Sequence, residues 1–206
     1  MILVKYSKLH GAEFISHLDT LRHLGKIIRR MGINVKYSQG FNPHLLIFMS
    51  SPIPLGMKSE SEYCLIDTDC DVVGFKELFN EKSPKGIKCV EAYSTQKKVN
   101  IVNDIESAIY EIKGLNYFNV NEILSLNSFV VPDKKKGEKE ARDKILGLEF
   151  IGDALICKFK FGNDNLRPDA FIEKVKELYG GNHITIIKKD VEFTGGKTIQ
   201  KYLEMQ

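Results

Sequence analysis

No run in the 206 residues approaches the roughly 18 consecutive apolar residues that a membrane-spanning helix needs. No membrane association is expected. Paired-cysteine spacing is missing as well. Cys64, Cys70, Cys89 and Cys157 form no CxxC or CxxxCxxC, which excludes a zinc knuckle or an iron–sulfur cluster built from this chain. Cys64, Cys89 and Cys157 fall inside apolar, strand-like runs, where a thiol behaves as a small hydrophobe. No metal and no cofactor is therefore expected. Charge of one sign is scarce: 30 Lys and Arg against 27 Asp and Glu leave a net +3, too little to mark a nucleic-acid protein by itself. Residues 1–15 carry Lys5, Lys8 and Glu13 among scattered apolar residues, with no continuous apolar core and no small-residue cleavage site. No signal peptide is expected, and the expected compartment is the cytoplasm.

What is present is an ordinary globular composition, 43% hydrophobic and 28% charged, on a chain long enough for two units of about 100 residues each. The charge is unevenly placed. Residues 1–40 hold seven basic residues (Lys5, Lys8, Arg22, Lys26, Arg29, Arg30, Lys36) and two acidic ones (Glu13, Asp19).

Hydrophobic periodicity predicts a strand over 1–6 and a helix from Ser16 to Gly32. Ser16 and Asp19 make a capping-box-like pair at its start. Leu18, Leu21, Leu24, Ile27, Ile28 and Met31 give an apolar stripe, and Arg22, Lys26, Arg29 and Arg30 share the opposite face. Strands over 34–38, 45–49 and 62–67, a helix over 73–80 and a strand over 87–93 complete an order β-α-β-β-β-α-β. The polar stretch 96–104 reads as a linker.

The second half repeats that order. It has a strand over 107–114, a short helix over 119–125, a strand over 129–132, a hairpin of 144–151 and 154–161 about Gly152-Asp153, a helix over 167–179 and a strand over 184–191. The expected fold is α+β, two tandem ferredoxin-like units over residues 1–97 and 98–206. Asp133 to Glu140, a mixed-charge run, reads as a solvated loop, with a flexible phosphate contact as the lesser reading. Gly195-Gly196-Lys197-Thr198 lacks the upstream glycine of GxxxxGK[ST] and follows the last strand, so it predicts no nucleotide site.

Chemistry-bearing side chains concentrate between residues 16 and 63. His17 and His44, with Asp19 and Ser38 close by in sequence, are of the right type for acid–base cleavage of a phosphodiester; the stronger reading of each is plain hydrogen bonding in a first helical turn or a turn after proline. In Tyr37-Ser38-Gln39-Gly40-Phe41-Asn42-Pro43-His44, Gly40 permits a positive φ and Pro43 holds Asn42 extended. Phe41 then either plugs the core or stands out as a stacking platform. A rigid polar loop beside a basic helix face suits an anionic ligand. Glu60 and Glu62 alternate and would offer ion-pair partners to the basic stripe, with metal ligation as the lesser reading.

The motifs Ser16-His17-Leu18-Asp19, Arg29-Arg30, Tyr37 to His44, Pro54-Leu55-Gly56 and Glu62-Tyr63, with Leu166-Arg167-Pro168 in the second half, resemble the radical-SAM-linked proteins, a bacterial family. Family members occur fused to a radical-SAM enzyme or as separate small proteins. The resemblance implies a separately encoded radical-SAM partner, since this chain carries no cluster cysteines. Where the family continues Asn-Pro-His with a proline and a basic residue, Leu45-Leu46 stand here. A more distant, fold-level likeness is to the CRISPR repeat-processing endoribonucleases, which pair two ferredoxin-like units.

These readings converge on an accessory substrate-recognition module that binds structured RNA and works with a separate radical-SAM enzyme. Arg22, Lys26, Arg29 and Arg30 would meet phosphates; Ser38, Gln39, Phe41, Asn42 and His44 would meet a base or sugar. The alternatives are a metal-independent endoribonuclease using His17 and His44 as a pair, and a protein–protein adaptor that binds no nucleic acid.

Overall fold

The computed structural model describes residues 1–96, 99–133 and 137–205. The expected unit boundary at 97/98 and Lys134, Lys135 and Lys136 of the mixed-charge run lie outside the described residues. The fold is α+β, in two compact units: 1–104 with the tail 200–206, and 105–199. No helix among the described residues is long and apolar enough to cross a membrane.

In the first unit, β1 (Ile2–Lys8) leads to α1 (His17–Met31), β2 (Ile47–Met49), β3 (Lys58–Ile66), α2 (Phe75–Lys82) and β4 (Ile87–Ser94). The strands lie in the order β4-β1-β3-β2, antiparallel throughout. Period-2 alternation sends Ile2, Val4 and Tyr6 of β1 and Cys64 and Ile66 of β3 into one core with Leu24, Ile27 and Ile28 of α1 and Phe75 and Phe79 of α2. Each such large apolar side chain contributes about 1.5–3 kcal/mol when fully buried. Leu3 and Leu65, on the opposite face, are buried too.

The helix start is the one read from the sequence. The Ser16 hydroxyl accepts from the Asp19 amide at 3.1 Å and donates to Asp19 Oδ2 at 2.8 Å. Gly32 stops the helix with φ at 69°, a left-handed cap that a residue with a Cβ adopts at a cost. The apolar stripe is shorter than expected: Leu24, Ile27, Ile28 and Met31 are buried, but Leu18 is exposed.

The strand expected over 34–38 does not form, so the unit is β-α-β-β-α-β. Tyr37 makes an isolated bridge with Leu45, and Lys36 donates its amide to Asp67 while its carbonyl accepts from Leu46. The segment's backbone bonds go singly to two neighbours, which satisfies them without a ladder. The helix expected from residue 73 starts at Phe75, because Gly74 holds the left-handed cap position at φ 71°.

In the second unit, β5 (Ile105–Leu115) is followed by the one-turn α3 (Asn121–Leu124), a hairpin of β6 (Val130–Asp133) and β7 (Gly137–Glu140), then β8 (Ile145–Ile151), β9 (Ala154–Lys160), α4 (Pro168–Tyr179) and β10 (Gly181–Phe193). The main strands run β10-β5-β9-β8, antiparallel. This is the first unit's order again, fourth, first, third, second, with α3 and the small hairpin standing where the first unit has its long helix. The described part of the mixed-charge run is thus a strand paired with β6 rather than a loop. The Phe159 ring packs at a tilt against Phe171, centroids 4.8 Å apart, and Tyr110, 5.6 Å apart, in the unit's core. Past β10, Phe193 and Lys197 pair across the Gly195-Gly196 turn, and α5 (Ile199–Leu203) ends the chain with the Tyr202 hydroxyl 2.7 Å from Asp104.

Candidate functional site

The first unit places its polar groups in two neighbourhoods along α1. One lies at the middle and end of the helix, where Arg22, Lys26, Arg29 and Arg30 are all exposed. Arg22 is occupied, its guanidinium 2.6 Å from Asp19, and the bonds from Ser16 and Arg22 hold the Asp19 carboxyl below its usual range. Arg30 lies 3.5 Å from the Lys82 carbonyl. Arg29 reaches across Gly25, the small residue on which Leu45 also rests: a Cβ there would sit 3.7 Å from the Leu45 side chain and 3.8 Å from the Arg29 guanidinium. The loop's end and the basic face therefore meet at Gly25.

The loop is closed by one residue pair. The Ser38 amide donates to the His44 carbonyl at 2.9 Å, and the His44 amide donates to the Ser38 hydroxyl at 3.1 Å. That hydroxyl also lies 2.8 Å from His44 Nδ1 and donates to it when the ring carries its proton on Nε2. Ser38 and His44 are thus the clamp at the loop's base, and the side chains it presents are Gln39, Phe41 and Asn42. Gly40 takes φ 120°, a conformation only glycine adopts without strain. Phe41 is completely exposed, which settles its two readings in favour of the outward ring.

The second neighbourhood is at the helix start, and the sequence reading missed most of it. Lys8, Glu13 and Glu62 are each only 5% exposed. The Lys8 ammonium donates to the Ile15 carbonyl at 2.5 Å, and Glu13 accepts from the Gly11 amide at 2.7 Å. Burial pulls the Lys8 pKa down, opposed by Glu62 and Glu13. His17 belongs to this group. Burial lowers its pKa, Glu62 opposes, and Lys8 adds to the lowering. Glu62 thus faces Lys8 and His17, not the basic stripe. The legible signal was the strand alternation that puts Glu62 opposite Tyr6 on β1. His17 and His44 are in different surroundings, the first beside Glu62 and Lys8, the second on Ser38.

Residues 1–178 match the model of a family described as an uncharacterized protein conserved in bacteria, DUF2344. The chain belongs to this family. The match takes in the first unit's residues 1–104 and the second unit as far as residue 178 in α4, so DUF2344 covers both neighbourhoods. Its description names no activity and no radical-SAM link. No curated protein matches the chain.

Cys64, Cys89 and Cys157 are buried, and burial raises each thiol pKa, that of Cys89 to about 12. Such thiols are poor nucleophiles and poor ligands. Among the described residues no three His, Cys, Asp or Glu side chains group as a metal site would need.

Proposed function

We propose that the first unit is an RNA-binding module that presents its substrate to a separately encoded radical-SAM enzyme. The observation that carries the reading is the junction at Gly25, where Arg29 of the exposed basic face meets Leu45 at the end of a clamped loop whose tip holds out Phe41. Exposed guanidinium groups grip phosphate, and an outward aromatic ring offers a face to an unstacked base. Gln39 and Asn42, both exposed, supply donors and acceptors beside it. Ser38 and His44 act by holding the loop in shape.

The strand order shared by the two units supports a further reading, that each is a ferredoxin-like β-α-β-β-α-β unit. In that reading α1 and the loop before β2 are the first unit's recognition elements, and the radical-SAM partner supplies the chemistry in trans.

A gel-shift or filter-binding titration of the purified protein with total small RNA tests the proposal. Binding that falls sharply in the Arg29→Glu, Arg30→Glu double variant supports it. Unchanged affinity sinks it.

One observation favours a second reading, the adaptor. The backbone bond from Gly56 to Glu13 at 2.9 Å brings the Leu55-Gly56 turn beside Phe14, and Phe14, Leu55 and Leu18 are all exposed. Large apolar side chains grouped on a surface mark interaction sites. Co-purification with the partner that survives nuclease treatment, with no RNA recovered, would favour this reading.

A further inference from the structure

The second unit holds a cavity that neither the basic helix face nor the loop explains. It lies between the β6–β7 hairpin and the start of α4, with a volume of about 130 Å³. Lys139, Lys144 and Arg167 line it together with Leu166 and Ala170, so three cations share a small wall that is otherwise partly apolar.

Lys144 is 6% exposed, an unusual place for an ammonium group. Its partner is Asp164, whose side chain is 65% exposed and lies outside the cavity lining. Lys139 lines the same cavity, and the neighbouring Lys144, together with burial, lowers the Lys139 pKa. Arg167 is paired with Asp169 through Nε and Nη2. Of the two lining carboxylates, Glu140 is fully engaged: it accepts from the amides of Phe129, Ala141 and Arg142 and from the Ser128 hydroxyl, which together lower its pKa to about 2. Asp133 is the other carboxylate of the lining, and Asp164 and Asp169 pair with Lys144 and Arg167 from outside it. The first turn of α4 adds to the field, because Pro168 opens the helix and no side chain caps it.

Two ammonium groups and a guanidinium around one small cavity suit an anion that offers several oxygens at once. A carboxylate has two, and a phosphate monoester three with up to two negative charges. We propose that this cavity binds a phosphate monoester, its oxygens taken by Lys139, Lys144 and Arg167 and the attached carbon chain lying against Leu166 and Ala170. The site is independent of the RNA reading of the first unit, and its failure would leave that reading standing.

The monoester belongs to a mononucleotide or to the end of an RNA chain, and inorganic phosphate serves as the probe without a carbon chain. Calorimetric titration of the full chain separates these sources, with inorganic phosphate, adenosine 5′-monophosphate, and one RNA oligonucleotide with and without its 5′-phosphate as probes. At least one probe should bind, with the phosphorylated oligonucleotide exceeding its dephosphorylated form if the source is RNA. Lys139→Gln and Arg167→Gln should each weaken that binding by about tenfold, the loss expected for one charge-assisted hydrogen bond. Lys113→Gln, a substitution of the half-exposed partner of Asp153, should leave it unchanged. Circular dichroism of each variant confirms the fold. The proposal is overturned if no probe binds at millimolar concentration, if the folded Lys139 and Arg167 variants bind as the wild type does, or if the 5′-phosphate makes no difference where only the oligonucleotide binds.

Discussion

Replacing Arg29 and Arg30 by alanine should alter the salt dependence of RNA binding far more than it alters the fold. Four cations stand on the exposed face of α1, but Arg22 is held 2.6 Å from Asp19 and contributes little to a ligand. Three remain. Each phosphate neutralised releases counterions, so the slope of log K against log salt is about −0.7 to −0.9 per contact, or about −2 to −3 for three contacts and about −0.7 to −0.9 for Lys26 alone. Raising salt fourfold, from about 50 to about 200 mM, should then weaken wild-type binding by about 20- to 40-fold and the double variant's by only about threefold. The cost to stability is small, about 0.3–1 kcal/mol for each cation removed from the last helical turn, where it offsets the dipole. Fluorescence anisotropy with a labelled structured RNA over that salt range reads both slopes, and a denaturant titration checks the fold. Equal slopes in the two proteins, or a wild-type slope near zero, would refute the reasoning, because the exposed guanidinium groups would then not be where the phosphates sit.

Three further outcomes follow from the same geometry. Phe41→Ala should lose about 1–3 kcal/mol of RNA affinity, the worth of one stacked base, while its melting temperature stays that of the wild type because the ring is fully exposed. Ser16→Ala should destabilise the first unit by about 1 kcal/mol in urea unfolding, since the cap of α1 depends on that hydroxyl, and Ser16→Gly should cost less. His17 titrates in acid with a sign set by its burial: its folded pKa lies below the unfolded value of about 6.5, so the unfolded chain takes up the proton first and stability falls as pH drops below about 6.5. His17→Gln should flatten that decline between about pH 7 and pH 5 in urea midpoints; an unchanged profile would place the acid sensitivity elsewhere.

Much of the local structure was legible because its causes are local. Ser16 and Gly32 bracket α1 through a side-chain cap and a left-handed residue, and both are one-residue signals. Pro168 marks the first turn of α4 for the same kind of reason. The strand at 34–38 was misread because Val35 and Tyr37 carry strand propensity while the pairing that would realise it depends on two distant partners, Asp67 and Leu46. The β6–β7 hairpin was missed because its second strand is Gly-Glu-Lys-Glu, fully exposed and without an apolar alternation to read. Leu18 fits the helical stripe by spacing, yet it is exposed, and the first turn of α1 buries Thr20 instead.

Sequence by itself determined the α+β order, the caps of α1, the shared face of Arg22, Lys26, Arg29 and Arg30, and the turn chemistry of Gly40 and Pro43, because each follows from backbone periodicity or the geometry of one residue. Only the tertiary structure decided which polar groups act together. It turned Ser38 and His44 into a clamp, sent Phe41 outward, buried Glu62 against Lys8 and His17, and closed a cavity around Lys139, Lys144 and Arg167. Those outcomes depend on contacts between residues distant in the chain, and the spacing along a sequence carries no record of them.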